Sequence, residues 1–106
     1  MDQLVVVVHM LFVRGETGAA IDAFTPAIEL SQQEPGCIKF AAHQDVDDPD
    51  VLVVVEQWES KEAHDSHLKQ PHVQTLNETV ASLMAGVPRI SVSRSLDIGD
   101  PAKSVI

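Results

Sequence analysis

Positive charge is scarce in this chain. Seven Lys and Arg stand against 16 Asp and Glu, a formal net charge of −9 with His neutral. A surface this acidic repels phosphate backbones, so nucleic acid is not an expected partner. Cysteine is scarcer still. The single Cys37 cannot close an internal disulfide, and no disulfide framework underlies the fold. Long apolar runs are missing too. Residues 4–8 are apolar but too short to span a bilayer, have acidic Asp2 in place of a basic flank, and carry no cleavage-site pattern. The expectation is a cytoplasmic protein with no membrane contact. No Gly-rich phosphate loop, Ser-His-Asp ordering or paired-carboxylate motif is visible.

What remains is a chain of 106 residues with 44 % apolar content, enough for one domain with a modest core. Residues 4–13, L-V-V-V-V-H-M-L-F-V, are too continuously apolar for one buried face and read as a strand covered on both sides. From Thr17, the spacing of Ala20, Ile21, Phe24, Ala27, Ile28 and Leu30 predicts a helix, with a kink or late start at Pro26. Glu34-Pro35-Gly36 ends it. Cys37–Gln44 and Val51–Trp58 read as strands joined through the turn-forming run at 45–50. Ser60 is a good N-cap for a helix to about Gln70, broken at Pro71 and resumed from His72 to about Met84. Residues 89–96 alternate as a last strand, which makes a domain of residues 1–96 and a tail of 97–106, mobile or bound to a partner.

The order βαββαβ is the α+β, ferredoxin-like arrangement with a four-stranded antiparallel sheet. Two helices cover one face of such a sheet. Strands one and three are apolar on both faces, so a second copy of the chain is the simplest cover for the other, and a homodimer is expected.

At the level of motifs, Glu34-Pro35-Gly36-Cys37, the Asp47-Asp48-Pro49-Asp50 turn, Glu56-Gln57-Trp58-Glu59-Ser60 and His67-Leu68-Lys69-Gln70-Pro71-His72 occur in one order and spacing. Together they resemble the antibiotic biosynthesis monooxygenase (ABM) family. The last two motifs, at 56–60 and 67–72, are similar above all to those of its bacterial quinol monooxygenases. The resemblance covers residue 4 to about 96. It implies a dimeric α+β barrel with a pocket between sheet and helices. For some members it implies oxidation of quinols or aromatic polyketides by O2 without flavin, haem or metal. Haem-degrading relatives carry an asparagine, a tryptophan and a histidine at the positions held here by His9, His67 and Asn77. All three identities differ, which argues against haem degradation.

His67 is the candidate catalytic residue, because the resemblance puts a histidine there and an imidazole could take a phenolic proton from a quinol. Its structural alternative is a hydrogen-bonded brace between helix and sheet. His9, His72, Trp58 and Phe40 are the substrate-binding candidates. His9 alternates with Val5, Val7 and Leu11 and is expected to be buried, contacting a ligand or a backbone carbonyl. His72 lies at the pocket mouth or braces the helix break. Trp58 could stack on an aromatic ligand, although a place in the core or dimer interface explains it, and Phe40 reads as core or pocket wall. His64 reads as a surface residue, and Glu56 is grouped with the solvated acids. No metal site is expected, since the histidine spacing fits no zinc signature and no nearby carboxylate clearly completes a ligand set. Cys37 reads as packing, not as a nucleophile.

The functional expectation is a cofactor-independent monooxygenase acting on a small aromatic substrate, a quinol or polycyclic phenol, with O2. The alternatives are a non-redox isomerase of a small carbonyl compound and a non-catalytic dimeric binding module.

Overall fold

The computed structural model describes residues 3–106; Asp2, the acidic residue noted ahead of the apolar N-terminus, lies outside them. The elements are β1 (Leu4–Leu11), α1 (Thr17–Gln32), β2 (Cys37–Gln44), β3 (Val51–Trp58), α2 (Lys61–Leu68), α3 (Pro71–Ala81), β4 (Arg89–Ser93) and a short α4 (Pro101–Ser104). The strands form one antiparallel sheet in the order β2-β3-β1-β4. This is the ferredoxin-like α+β topology expected from the pattern.

Strand alternation decides which side chains meet the helices. Leu4, Val6 and Met10 of β1 and Leu52, Val54, Glu56 and Trp58 of β3 are buried beneath the helical layer. Phe12 and Phe24 pack edge to face at 6.5 Å, tying the end of β1 to α1. The opposite face, with Val5, Val7, Val51, Val53 and Val55, is only half-buried within one chain. The expectation that β1 and β3 are covered on both sides is therefore not met by the single chain. His9 sits on this open face and is exposed, not buried, because nothing in its own chain packs over it.

The helix α1 begins at Thr17 and continues through Pro26 without the late start its sequence suggested. Pro26 and Asp22 are both exposed, so water can satisfy the carbonyl that loses its helical N–H partner. Ser60 caps α2 as expected, its side chain accepting from Ala63 N–H at 3.1 Å. Pro71 is preset for the first turn of α3, so the break between Leu68 and Pro71 makes two helices from one apolar pattern. His67 then lies in the last turn of α2 and His72 in the first turn of α3. At the entry to β2, Gly36 has φ +87° and its Cα faces the Ala63 methyl of α2. A Cβ there would stand 2.6 Å from that methyl, so glycine lets the chain after α1 run hard against α2.

Candidate active site

A cavity of about 170 Å3 lies between the sheet and the helices. Its wall is mostly apolar, with Met10, Phe24, Phe40, Val54, Leu76 and Val80 among its residues. His67 and Glu56 are the ionisable groups in it.

His67 is 4 % exposed and held on several sides. Its Nδ1 lies 2.7 Å from Glu34 Oε2, at the end of the chain segment leaving α1. Its Nε2 lies 3.8 Å from Oε1 of Glu56 on β3. The Trp58 ring lies beneath the imidazole at 4.6 Å between centroids, and Phe40 flanks it at 5.5 Å. The short contact to a carboxylate oxygen requires a proton on Nδ1, so Nδ1 donates to Glu34. In the neutral ring Nε2 is then the bare acceptor. At 3.8 Å it makes no hydrogen bond to Glu56.

The two carboxylates differ in environment. Burial pushes the Glu56 carboxyl above the ordinary carboxylate range, against the opposing pull of the Trp58 N–H and of His67. Trp58 Nε1 donates to Glu56 Oε1 at 2.9 Å and fixes its position. Glu34 Oε2 accepts a second bond, from His72 Nε2 at 2.9 Å. One oxygen on the segment after α1 is thus joined to α2 and α3 through two imidazoles. Burial, and next the neighbouring His67, pulls the pKa of His64 down, favouring its neutral form. The Cys37 thiol is pushed up by burial first and then by Glu34 and Glu56, which keeps it from being a nucleophilic thiolate.

The structure brings together His67 and Phe40 at the cavity wall, with Trp58 behind them, fully buried. His72 joins them through Glu34 but faces a separate surface groove between α1 and α3. His9 is not part of this group, being on the far side of the sheet. Two readings of the sequence are corrected. His64 is 8 % exposed and packs 6.1 Å from the Trp58 ring, because it shares the inner face of α2 with His67. Glu56 is 5 % exposed instead of solvated. Its signal was present, since two-residue alternation puts it on the face of Val54 and Trp58. Glu34, 33 residues from His67, carried no such signal. The expectation of no metal site also rested on a missing carboxylate. Glu34, His67 and His72 in fact offer three ligand atoms within 4.8 Å of one another.

The profile of the family described as antibiotic biosynthesis monooxygenase matches residues 4–79. A Synechocystis protein described as uncharacterized is 29 % identical over 65 residues, a match that covers 61 % of this chain and 44 % of that protein. The chain therefore spans less than half the length of this relative. The probable quinol monooxygenase YgiN of Escherichia coli K12 is 31 % identical over 70 residues, covering 58 % of this chain and 67 % of YgiN. A solved structure from Nitrosomonas europaea, provisionally described as an antibiotic biosynthesis monooxygenase, superposes with a TM-score of 0.85 at 28 % identity, covering 88 % of this chain and 98 % of the other. The structure of Rv0793 from Mycobacterium tuberculosis shares the fold, with a TM-score of 0.86 at 21 % identity over 93 % of this chain and all of the other. Among the described residues no helix is long and apolar enough to cross a membrane.

Proposed function

Because the chain belongs to the antibiotic biosynthesis monooxygenase family, we propose that it is a monooxygenase that oxidises a quinol or related phenol with O2, using His67 as the base. One observation carries this reading: His67 at the wall of an apolar cavity, its Nδ1 bonded to Glu34 and its Nε2 left bare. Glu34 fixes the tautomer that makes Nε2 an acceptor, as a carboxylate behind a catalytic imidazole does. A phenolic O–H placed at Nε2 gives up its proton there. The resulting phenolate passes an electron to O2, and the two radicals join as a C–O bond. Loss of water from that hydroperoxide leaves a hydroxylated quinone. One oxygen atom enters the ring, the other leaves as water, and the quinol supplies the electrons. No step draws on a bound cofactor.

The cavity volume bears on substrate size. An apolar cavity of about 150 Å3 takes up benzene. A cavity of about 170 Å3 therefore suits one aromatic ring with small substituents, and a polycyclic phenol would have to extend through its mouth. The partner we propose for the open sheet face is a second copy of the chain, since Val5, Val7, Val53 and Val55 form a contiguous apolar band across β1 and β3.

A second reading rests on Glu56. A carboxyl held toward its protonated form 3.8 Å from a histidine is an acid–base pair suited to moving a proton on a small carbonyl compound. Oxygen uptake separates the two. With single-ring hydroquinones, metal-free protein should consume O2, and His67→Ala should lower the rate about 100- to 10,000-fold. Turnover of a substrate with no change in dissolved O2 would reject the monooxygenase reading.

A further inference from the structure

We propose that Glu34, His67 and His72 form a binding site for a divalent first-row transition-metal ion. Two imidazoles and one carboxylate are a borderline N2O donor set, suited to zinc, iron, cobalt or nickel more than to calcium or magnesium. Glu34 Oε2, His67 Nδ1 and His72 Nε2 lie within 4.8 Å of one another, with the oxygen 2.7 and 2.9 Å from the two nitrogens. A tetrahedral ion bonding at about 2.0–2.2 Å holds its donors roughly 3.3 Å apart. Loading the ion therefore requires the oxygen to retreat by about half an ångström from the two nitrogens. Each ligand comes from a different segment around the α2–α3 break, so the ion would clamp three elements that hydrogen bonds already gather.

The surroundings suit the ion as well. Three protein ligands leave an open position, and His72 lines the surface groove between α1 and α3, which gives a route of entry from solvent. Coordination at Nδ1 moves the His67 proton to Nε2. That N–H then faces Glu56 Oε1, which Trp58 anchors 3.8 Å away, so the ring has to shift toward it before a hydrogen bond forms. A ligating histidine that donates its other nitrogen to a carboxylate is the usual outer partnership of a metal site. The loaded state also removes the bare Nε2 acceptor, so the ion would silence a His67 base instead of assisting it. The site itself stands whether or not the chain oxidises quinols.

The test is titration of the chelator-treated, untagged chain with Co2+, read by its visible absorption, with Zn2+ as competitor followed by calorimetry. One saturable ion per chain, displaced by Zn2+, is expected. An outer partner of a ligand is worth about 10- to 100-fold in affinity, so loss of a ligand in His72→Ala or Glu34→Gln should weaken binding by at least about 100-fold. His64→Ala should retain it. Circular dichroism of each variant separates loss of a ligand from loss of fold, and His72, partly exposed at a helix start, is the variant least tied to the core. Absence of saturable binding, or equal binding by the parent, His72→Ala and Glu34→Gln, would overturn the proposal.

Discussion

Replacing Glu34 with alanine removes the one oxygen that both His67 and His72 contact, and the structure sets the expected loss. The His67 side chain is 6 % exposed, so its Nδ1–H cannot turn to water and is left unpartnered. A buried hydrogen bond to a charged group contributes about 1.5–3 kcal/mol, and an orphaned buried donor costs a similar amount. The His72 side chain is 15 % exposed, and water can replace part of what it loses. The two together give an expected destabilisation of about 3 kcal/mol, with His67 supplying most of it. Urea unfolding at neutral pH and one fixed protein concentration measures it. His72→Ala and the double variant close a cycle whose coupling should be about 1 kcal/mol, because the two histidines share one acceptor. A loss below about 0.5 kcal/mol for Glu34→Ala, the scale of an ordinary surface change, would refute the view that this carboxylate organises the site.

Gly36→Ala should cost about 2–4 kcal/mol, from a positive φ and a methyl forced onto Ala63, and a thermal melt close to that of the parent would contradict it. The Glu56 carboxyl is held above its ordinary range, so the folded chain binds that proton more tightly than the unfolded chain. The stability this supplies is complete at acid pH and is lost as pH rises through the raised value. Glu56→Gln lacks the titration, so its stability relative to the parent should climb across that window; a constant difference in urea unfolding from acid to neutral pH would count against the assignment. On the open face of the sheet, Val55→Lys should convert the proposed dimer to folded monomer in sedimentation velocity. An unchanged association state would remove that face as the contact.

The topology was legible from one sequence because local signals agreed. The apolar strand at Val51–Trp58, the Ser60 cap and the Pro71 break each act within a few residues, and each reappears in the structure. Pro26 misled as to where the helix starts, since a helix can run through a proline when water reaches the freed carbonyl, which is a matter of exposure. Glu56 was half legible. Its strand parity was plain, yet a carboxylate reads as solvated until the helices above it and the Trp58 N–H beside it are in place.

By itself the sequence determined the element order, the likeness to the family and the choice of His67. Only the tertiary structure decided what His67 touches. Glu34 meets His67 and His72 because Gly36 lets the exit of α1 run against α2, and His9 is set apart by one residue of strand parity. Local conformation follows from neighbours a few positions apart. The state of an ionisable side chain follows from whichever groups long-range packing brings within about 4 Å, and no periodicity in the chain encodes that meeting.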